Sequence, residues 1–278
     1  MRHCLLLGTW TVLLGSAGIA WSQAPPKEGV DVGKPSSMAR LVPAGQVEQV
    51  AGQQYEQLKQ AAIQKNALAP PNDPRVQRMR EVAKRILPFT PKWNPRAAQW
   101  KWEVNLIGSR QINAFCMPGG KIAFYTGIID GLQLSDDEIA IVMGHEIAHA
   151  LREHARERIA KQVATNTGAN LLSYVMGLGR VGNAVVGASA GLLSLKFSRD
   201  DETEADTVGL ELAARAGYDP RAGISLWRKM QAASKGAPPQ WLSTHPASAN
   251  RIKEIERHLP QVMPLYQRAL QPAAAARP

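Results

Sequence analysis

One stretch constrains the chain more than any other: residues 135–151, SDDEIAIVMGHEIAHAL. Ser135 followed three residues later by Glu138 is a capping box, in which each side chain satisfies the other residue's main-chain N–H. Ile139, Val142, Met143, Ile147 and Ala150 then recur at helical spacing and predict a helix starting here. Into this apolar run are set His145, Glu146 and His149. Residues four apart share a helix face, so both imidazoles can reach a single ion. Glu146 lies about 100° round from His145, close enough to touch a metal-bound water without being a ligand. Two surface histidines on an ordinary helix is the competing reading. The apolar flanks oppose it, because an unpartnered buried imidazole costs free energy and a metal ligand does not.

A catalytic zinc takes three protein ligands and keeps a position for water. The sixth residue after His149 is Ala155, and His154 would lie about 140° round a continuing helix, facing elsewhere. The acidic nonamer at 198–206, SRDDETEAD, offers a second helix. Glu202 and Asp206 are four apart and share a face, while Glu204 points away from both. One of that pair would bind the metal, and the other would accept the far N–H of a ligating histidine. A solvated acidic helix start is the plainer alternative for this segment taken alone.

Around these segments the chain reads as α+β. Residues 45–66 and 74–87 have helical spacing, the second with Asp73 or Asn72 as cap, Pro74 in its first turn and Arg75, Arg78, Arg80, Lys84 and Arg85 on a basic face. That face reads as solvated, with contact to lipid head groups as the sharper alternative. Residues 99–126 change period and predict three short strands with a tight turn at 117–120, hence a small antiparallel sheet. Helices are expected at about 135–160, 200–216, 221–234, 247–258 and 261–271. The Gly/Ala-rich stretch 168–195, interrupted by Arg180, suits a helical hairpin, packed or lipid-touching, better than a membrane span.

Arg2, the apolar run 5–14 and the small residues at 15–20 read as an export signal cut after Ala20, the alternative being an uncleaved anchor. Residues 21–43 are rich in Pro, Gly and Ser and read as a flexible linker, and 272–278 as a disordered tail. The 278-residue chain is 45% hydrophobic with two cysteines, which excludes a wholly disordered chain and a disulfide-stapled miniprotein. Its formal charge of +10 suits anionic surroundings such as a membrane surface. Nucleic acid is not an expected partner of an exported chain with no nucleic-acid module.

Asn113-Ala114-Phe115 with Pro118-Gly119-Gly120, then His145 to His149, then Ser198-Arg199 with Glu202 and Ala205-Asp206, and finally Thr244-His245-Pro246 with Arg251 occur in one order across residues 70–260. In that order they resemble the gluzincin metallopeptidase family that includes the HtpX heat-shock protease and the CAAX prenyl protease. Its exported, soluble bacterial members, such as the β-barrel assembly-enhancing protease, are the most similar. The resemblance implies that His145, His149 and Glu202 bind one Zn2+ and that Glu146 is the general base. It also implies that Asp206 stands behind His145, and that His245 lies near the zinc as a resting ligand or oxyanion stabiliser. Asn113, Ala114 and Phe115 would form the sheet edge that holds an extended peptide. Arg251 is expected to brace a carboxylate or a helix end, and Cys116 to be core. The multi-span body of the prenyl-protease branch and the helical repeat domain of the assembly-enhancing protease have no counterpart in this sequence, so substrate capture is not carried over.

The expected whole is a mostly helical zincin-like domain over residues 44–271, with a small antiparallel sheet over the His145–His149 helix. The expected function is zinc-dependent endoproteolysis of unfolded or misassembled polypeptides in the periplasm, in protein quality control. Peripheral contact with the membrane surface or outer-membrane assembly machinery would accompany it. A latent, zinc-bound, chaperone-like binding protein is the alternative.

Overall fold

A computed structural model describes residues 28–164, 192–234, 239–246 and 250–271. In chain order come α1 (Ala44–Gln64), α2 (Pro74–Ile86), β1 (Glu103–Ile107), β2 (Ala114–Met117), β3 (Lys121–Tyr125) and a single turn α3 (Thr126–Ile129). Then follow α4 (Asp136–Leu151), α5 (His154–Ala164), α6 (Arg199–Arg215), α7 (Ala222–Ala233), a short α8 (Trp241–Thr244) and α9 (Arg251–Ala269). The expected leader, the tail and all but the end of the Gly/Ala-rich stretch lie outside the described residues. No helix among the described residues is long and apolar enough to cross a membrane.

The sheet separates two hydrophobic clusters, and strand alternation decides which residue joins which. Val104, Leu106, Ala114, Cys116, Ile122 and Phe124 face the larger core, with α2 and α4. Ile107, Phe115, Met117 and Ala123 face the opposite way and pack with Val47, Val50 and Tyr55 of α1. Tyr55 donates its hydroxyl to the Ile122 carbonyl and accepts from Asn105 at 3.1 Å, which ties α1 to the sheet. Beyond α4 lie α6, α7 and α9, so α4 is enclosed and every residue from Glu138 to Leu151 is buried.

The expected antiparallel sheet is corrected to a mixed one. β2 and β3 form the antiparallel hairpin, with Gly119 and Gly120 at φ +84° and +81° supplying the left-handed turn that glycine adopts without strain. β1 pairs with β3 and runs parallel to it, giving the order β1-β3-β2. The segment 108–113 crosses the end of β3, held by Gly127 N–H to the Ser109 carbonyl at 2.7 Å. Alternation marks three strands in the sequence but carries no information on which pair are neighbours.

Three helical expectations also change. The helix expected over 135–160 is two, because the chain turns at Glu153, whose φ of +60° no α-helix accommodates. The helices expected at 247–258 and 261–271 are one, α9, running through Pro260 and Pro264. Both prolines lie on its exposed face, while Ile255, Val262 and Leu265 keep the buried stripe unbroken. Tertiary burial there outweighs the roughly 3 kcal/mol that an internal proline costs. Residues 28–43 are packed rather than a free linker. Val30, Ala39 and Val42 are buried, and Val30 N–H bonds the fully buried Glu211 carboxylate at 2.7 Å. The basic face of α2 is likewise tied to the body: Arg75 pairs with Asp130 at 2.7 Å, Arg78 with Asp136, and Arg85 stacks on Tyr218.

Candidate metal centre and cleft

Two capped helices meet to build the centre. Ser135 and Glu138 close the capping box that starts α4, and Ser198 and Asp201 close a second one that starts α6. The helices cross at Gly144 and Gly209, where a Cβ on Gly144 would lie 2.7 Å from the Gly209 carbonyl oxygen. This approach carries the first turns of α6 over His145 and His149.

His145, His149, Glu202 and His245 converge, with one donor atom from each within 4.8 Å of the others, and all four residues are buried. The two Nε2 atoms on α4 lie 3.0 Å apart, and Glu202 approaches them at 3.7 and 3.4 Å. Glu202 Oε1 and His245 Nε2 are buried without any hydrogen-bond partner. Orphaned buried acceptors are costly, and a cation between them would satisfy both. Imidazole and carboxylate donors are what a zinc site uses, so the residues present fit that ion.

Arg251 braces the carboxylates, as expected. Its guanidinium bonds Glu202 and holds Asp206 through Nε at 2.7 Å, while its flat face lies 4.0 Å from the Trp227 ring centre. Asp206 faces His145 Nδ1 at 2.9 Å. Burial would raise Asp206, but Arg251 and His145 outweigh it and hold the carboxyl at about 2. Burial lifts Glu202 to about 8 in spite of Arg251. Burial also holds His145 below, and His149 and His245 well below, the ordinary imidazole range, so the rings are neutral and free to ligate.

Glu146 points beside this cluster rather than into it. Its Oε1 accepts from the Trp241 indole N–H at 2.6 Å, Oε2 lies 3.7 Å from His245 Nε2, and Cys116 N–H also donates to the carboxylate. Burial pushes its carboxyl well above the usual range. The cleft here is lined by β2, Glu146, His149, Leu192, Leu195, Phe197 and His245, and encloses about 60 Å³.

The comparisons with known proteins bear directly on this arrangement. The model of "Peptidase family M48" matches residues 75–259, two thirds of the chain, and spans α4, α6 and His245. The chain belongs to peptidase family M48. Its M48 relatives include mitochondrial metalloendopeptidase OMA1 of Arabidopsis thaliana, 40% identical over 152 residues, 55% of this chain and 30% of that protein. The Schizosaccharomyces pombe protein of that name is 39% identical over 164 residues, 58% and 48% of the two chains. The β-barrel assembly-enhancing protease of Escherichia coli is 29% identical over 176 residues, 58% and 35%. The matches thus span less than half of each of these relatives. The bacterial protein lies further off in identity than the two mitochondrial ones.

Within this M48 unit the structure brings nearly every expected site residue together. His145, Glu146, His149, Glu202, Asp206 and His245 all meet at the crossing of α4 and α6. Asn113, Ala114 and Phe115 line the cleft beside Glu146 and His149. They do so unequally. Asn113 gives its carbonyl to Tyr125 N–H of β3, so strand alternation turns the main-chain groups of Ala114 and Cys116 away from β3, where Glu146 takes the Cys116 N–H. The Phe115 ring packs beneath α1, edge-on to Tyr55. Cys116 is buried, with its thiol pushed well up by burial, and it is the main chain that reaches Glu146.

His154 stays outside the donor cluster, as expected, but it does not face away from His149. It sits 2.9 Å from His149, Nδ1 to Nδ1, and Glu204 touches its far nitrogen. On an unbroken helix His154 would face away, and the left-handed Glu153 breaks that helix one residue before it. Phe197, stacked on the His149 ring with centres 4.0 Å apart, and Trp241, bonded to Glu146, were also missed. Neither carries a motif in the sequence.

Proposed function

We propose that this M48 member is a zinc-dependent endopeptidase whose ligands are His145, His149 and Glu202 and whose general base is Glu146. The observation that carries the proposal is the convergence of three buried donor residues with Glu146 alongside, next to β2, the edge strand among the described residues. Those three residues would hold the zinc, and the chemistry it would supply is Lewis acidity toward a water molecule and the scissile carbonyl. Glu146 takes the water proton and delivers it to the departing amine, a task for which its raised proton affinity suits it. The Trp241 indole and Cys116 N–H orient that carboxylate toward the cleft. The main-chain groups of Ala114 and the Cys116 carbonyl, turned away from β3, would be offered to an extended peptide, the usual way a sheet edge recognises one, while the Cys116 N–H serves Glu146. Asp206 accepts Nδ1–H from His145 and so presents Nε2 to the metal.

His245 supports a second, latent reading of the same site. Its Nδ1 lies 3.1 Å from the Trp241 carbonyl and 2.9 Å from the Thr244 hydroxyl, and in the tautomer that donates to the carbonyl Nε2 presents a bare lone pair to the cluster. A ring in that state is a fourth ligand, which closes a zinc site, and it becomes an oxyanion donor only when protonated or moved. The cleft volume of about 60 Å³, well short of the few hundred typical of a ligand pocket, supports the same resting state.

The substrates we propose are unfolded or misassembled polypeptides of the bacterial envelope, reached after export through the leader at residues 1–20. Support comes from that leader pattern and from the relative named for β-barrel assembly. Elemental analysis and cleavage of casein test the activity, with Glu146→Gln and a chelator as controls. About one zinc per chain, with cleavage lost in both controls, is the expected result. Zinc without cleavage, restored by His245→Ala, would establish the latent reading, and absence of zinc would remove both.

A further inference from the structure

The two histidines of α4 differ in what stands behind them. His145 has a carboxylate, Asp206. His149 has another histidine, and this pairing fixes where every proton must be. If Nε2 of His149 ligates the metal, its proton is on Nδ1, and that N–H donates to His154 Nδ1 at 2.9 Å. His154 Nδ1 must then be the bare acceptor, so its own proton sits on Nε2, 3.2 Å from Glu204 Oε2. A carboxylate can accept there, so both bonds run in one direction without conflict. Glu204 is held in turn by Arg152, whose NH2 donates to the Gly33 carbonyl at 3.0 Å. His154 and Arg152 are buried, and Glu153 between them takes the left-handed conformation that a non-glycine residue adopts only under constraint.

We propose that His154, backed by Glu204 and Arg152, is a positioning residue that fixes the tautomer and direction of His149. This rests on the metal-site reading above. A histidine bonded behind its free nitrogen loses no orientational freedom on binding, and losing such a partner typically weakens metal affinity about 10–100-fold.

The test measures zinc affinity of the whole chain by competition with a chromophoric chelator, and the visible spectrum of the cobalt(II)-substituted protein. His154→Asn places an amide oxygen where Nδ1 stood, and His154→Gln places an amide where Nε2 stood. His154→Ala is expected to weaken zinc about 10–100-fold and to alter the cobalt bands. His154→Asn recovers most of the affinity and the original spectrum, and His154→Gln does not. Unfolding of the metal-free variants, measured in parallel, separates loss of metal from loss of fold. Unchanged affinity in His154→Ala, or equal impairment in all three variants, overturns the inference and leaves the metal site standing. Absence of zinc from the unsubstituted protein overturns the metal-site reading, and this inference with it.

Discussion

Gly144 and Gly209 touch backbone to backbone: a Cβ on Gly209 would lie 2.7 Å from the main-chain nitrogen of His145. The contact places α6 where Glu202 reaches the two α4 histidines and Asp206 reaches one of them. Their separation is set by hydrogen atoms, since neither glycine has a side chain to hold the helices apart.

Gly209→Ala is therefore expected to push α6 off α4. Overpacking at such a crossing costs about 1–3 kcal/mol, and the same displacement withdraws Glu202 from the histidines. Chemical denaturation combined with zinc titration should show both losses together. Full zinc affinity in a destabilised variant would separate the crossing from the site.

Glu146→Gln should lower casein cleavage by about 10²–10⁴-fold while zinc stays bound. Trp241→Phe is the finer probe. The indole N–H favours the ionised carboxylate, so removing it raises the Glu146 pKa further. A base must be deprotonated to act, so the acid limb of the kcat/KM profile should move to higher pH. A limb that stays in place would count against Glu146 as the titrating base.

Metal-free protein should lose stability as pH rises from about 7.5 to 8.5. Across that window the three site histidines, depressed below 6.5 when folded, are neutral in both states and contribute nothing further. Glu202 sits near 8 when folded against an ordinary 4.5, so the native state still holds a proton that the unfolded chain has released, and buried Glu146 acts in the same sense. The native state binding more protons means stability falls with pH. Zinc should flatten the slope, which denaturation at several pH values with and without metal would reveal.

Phe197→Ala should open the cleft. The ring stacks on His149, and its segment brings Leu192 and Leu195 against β2 in the second hydrophobic cluster. Casein cleavage is expected to rise through a lower KM, since the truncation removes no donor from the cluster. A KM that does not fall would show that this segment leaves the peptide path clear.

The candidate metal cluster is legible because its residues are local: His145, Glu146 and His149 share two turns, and Glu202 and Asp206 share one more, although only the family resemblance says which of the last two would bind. For Arg251 the sequence leaves a carboxylate or a helix end, and the fold supplies two carboxylates. What was not legible depends on chain reversal. His154 returns to His149 only because Glu153 is left-handed, and no residue type at 153 signals that. α9 reads as two helices because propensity counts each proline, whereas burial counts the face that carries it. Residues 28–43 look loose by composition, yet the buried Glu211, far away in the chain, gathers Val30, Lys92 and Arg215 onto itself.

The strand order β1-β3-β2 carries a consequence for Glu146. Had the strands paired in chain order, β2 would be the middle strand, with both sides of its backbone spent on neighbours. Glu146 would then face a saturated ribbon and lose the Cys116 N–H from which it accepts. By crossing over the end of β3, the six residues 108–113 leave the strand nearest α4 at the sheet's edge among the described residues, with the Cys116 amide turned to the acid. A connection of ordinary length thus decides whether the buried acid finds a main-chain partner in this strand or none.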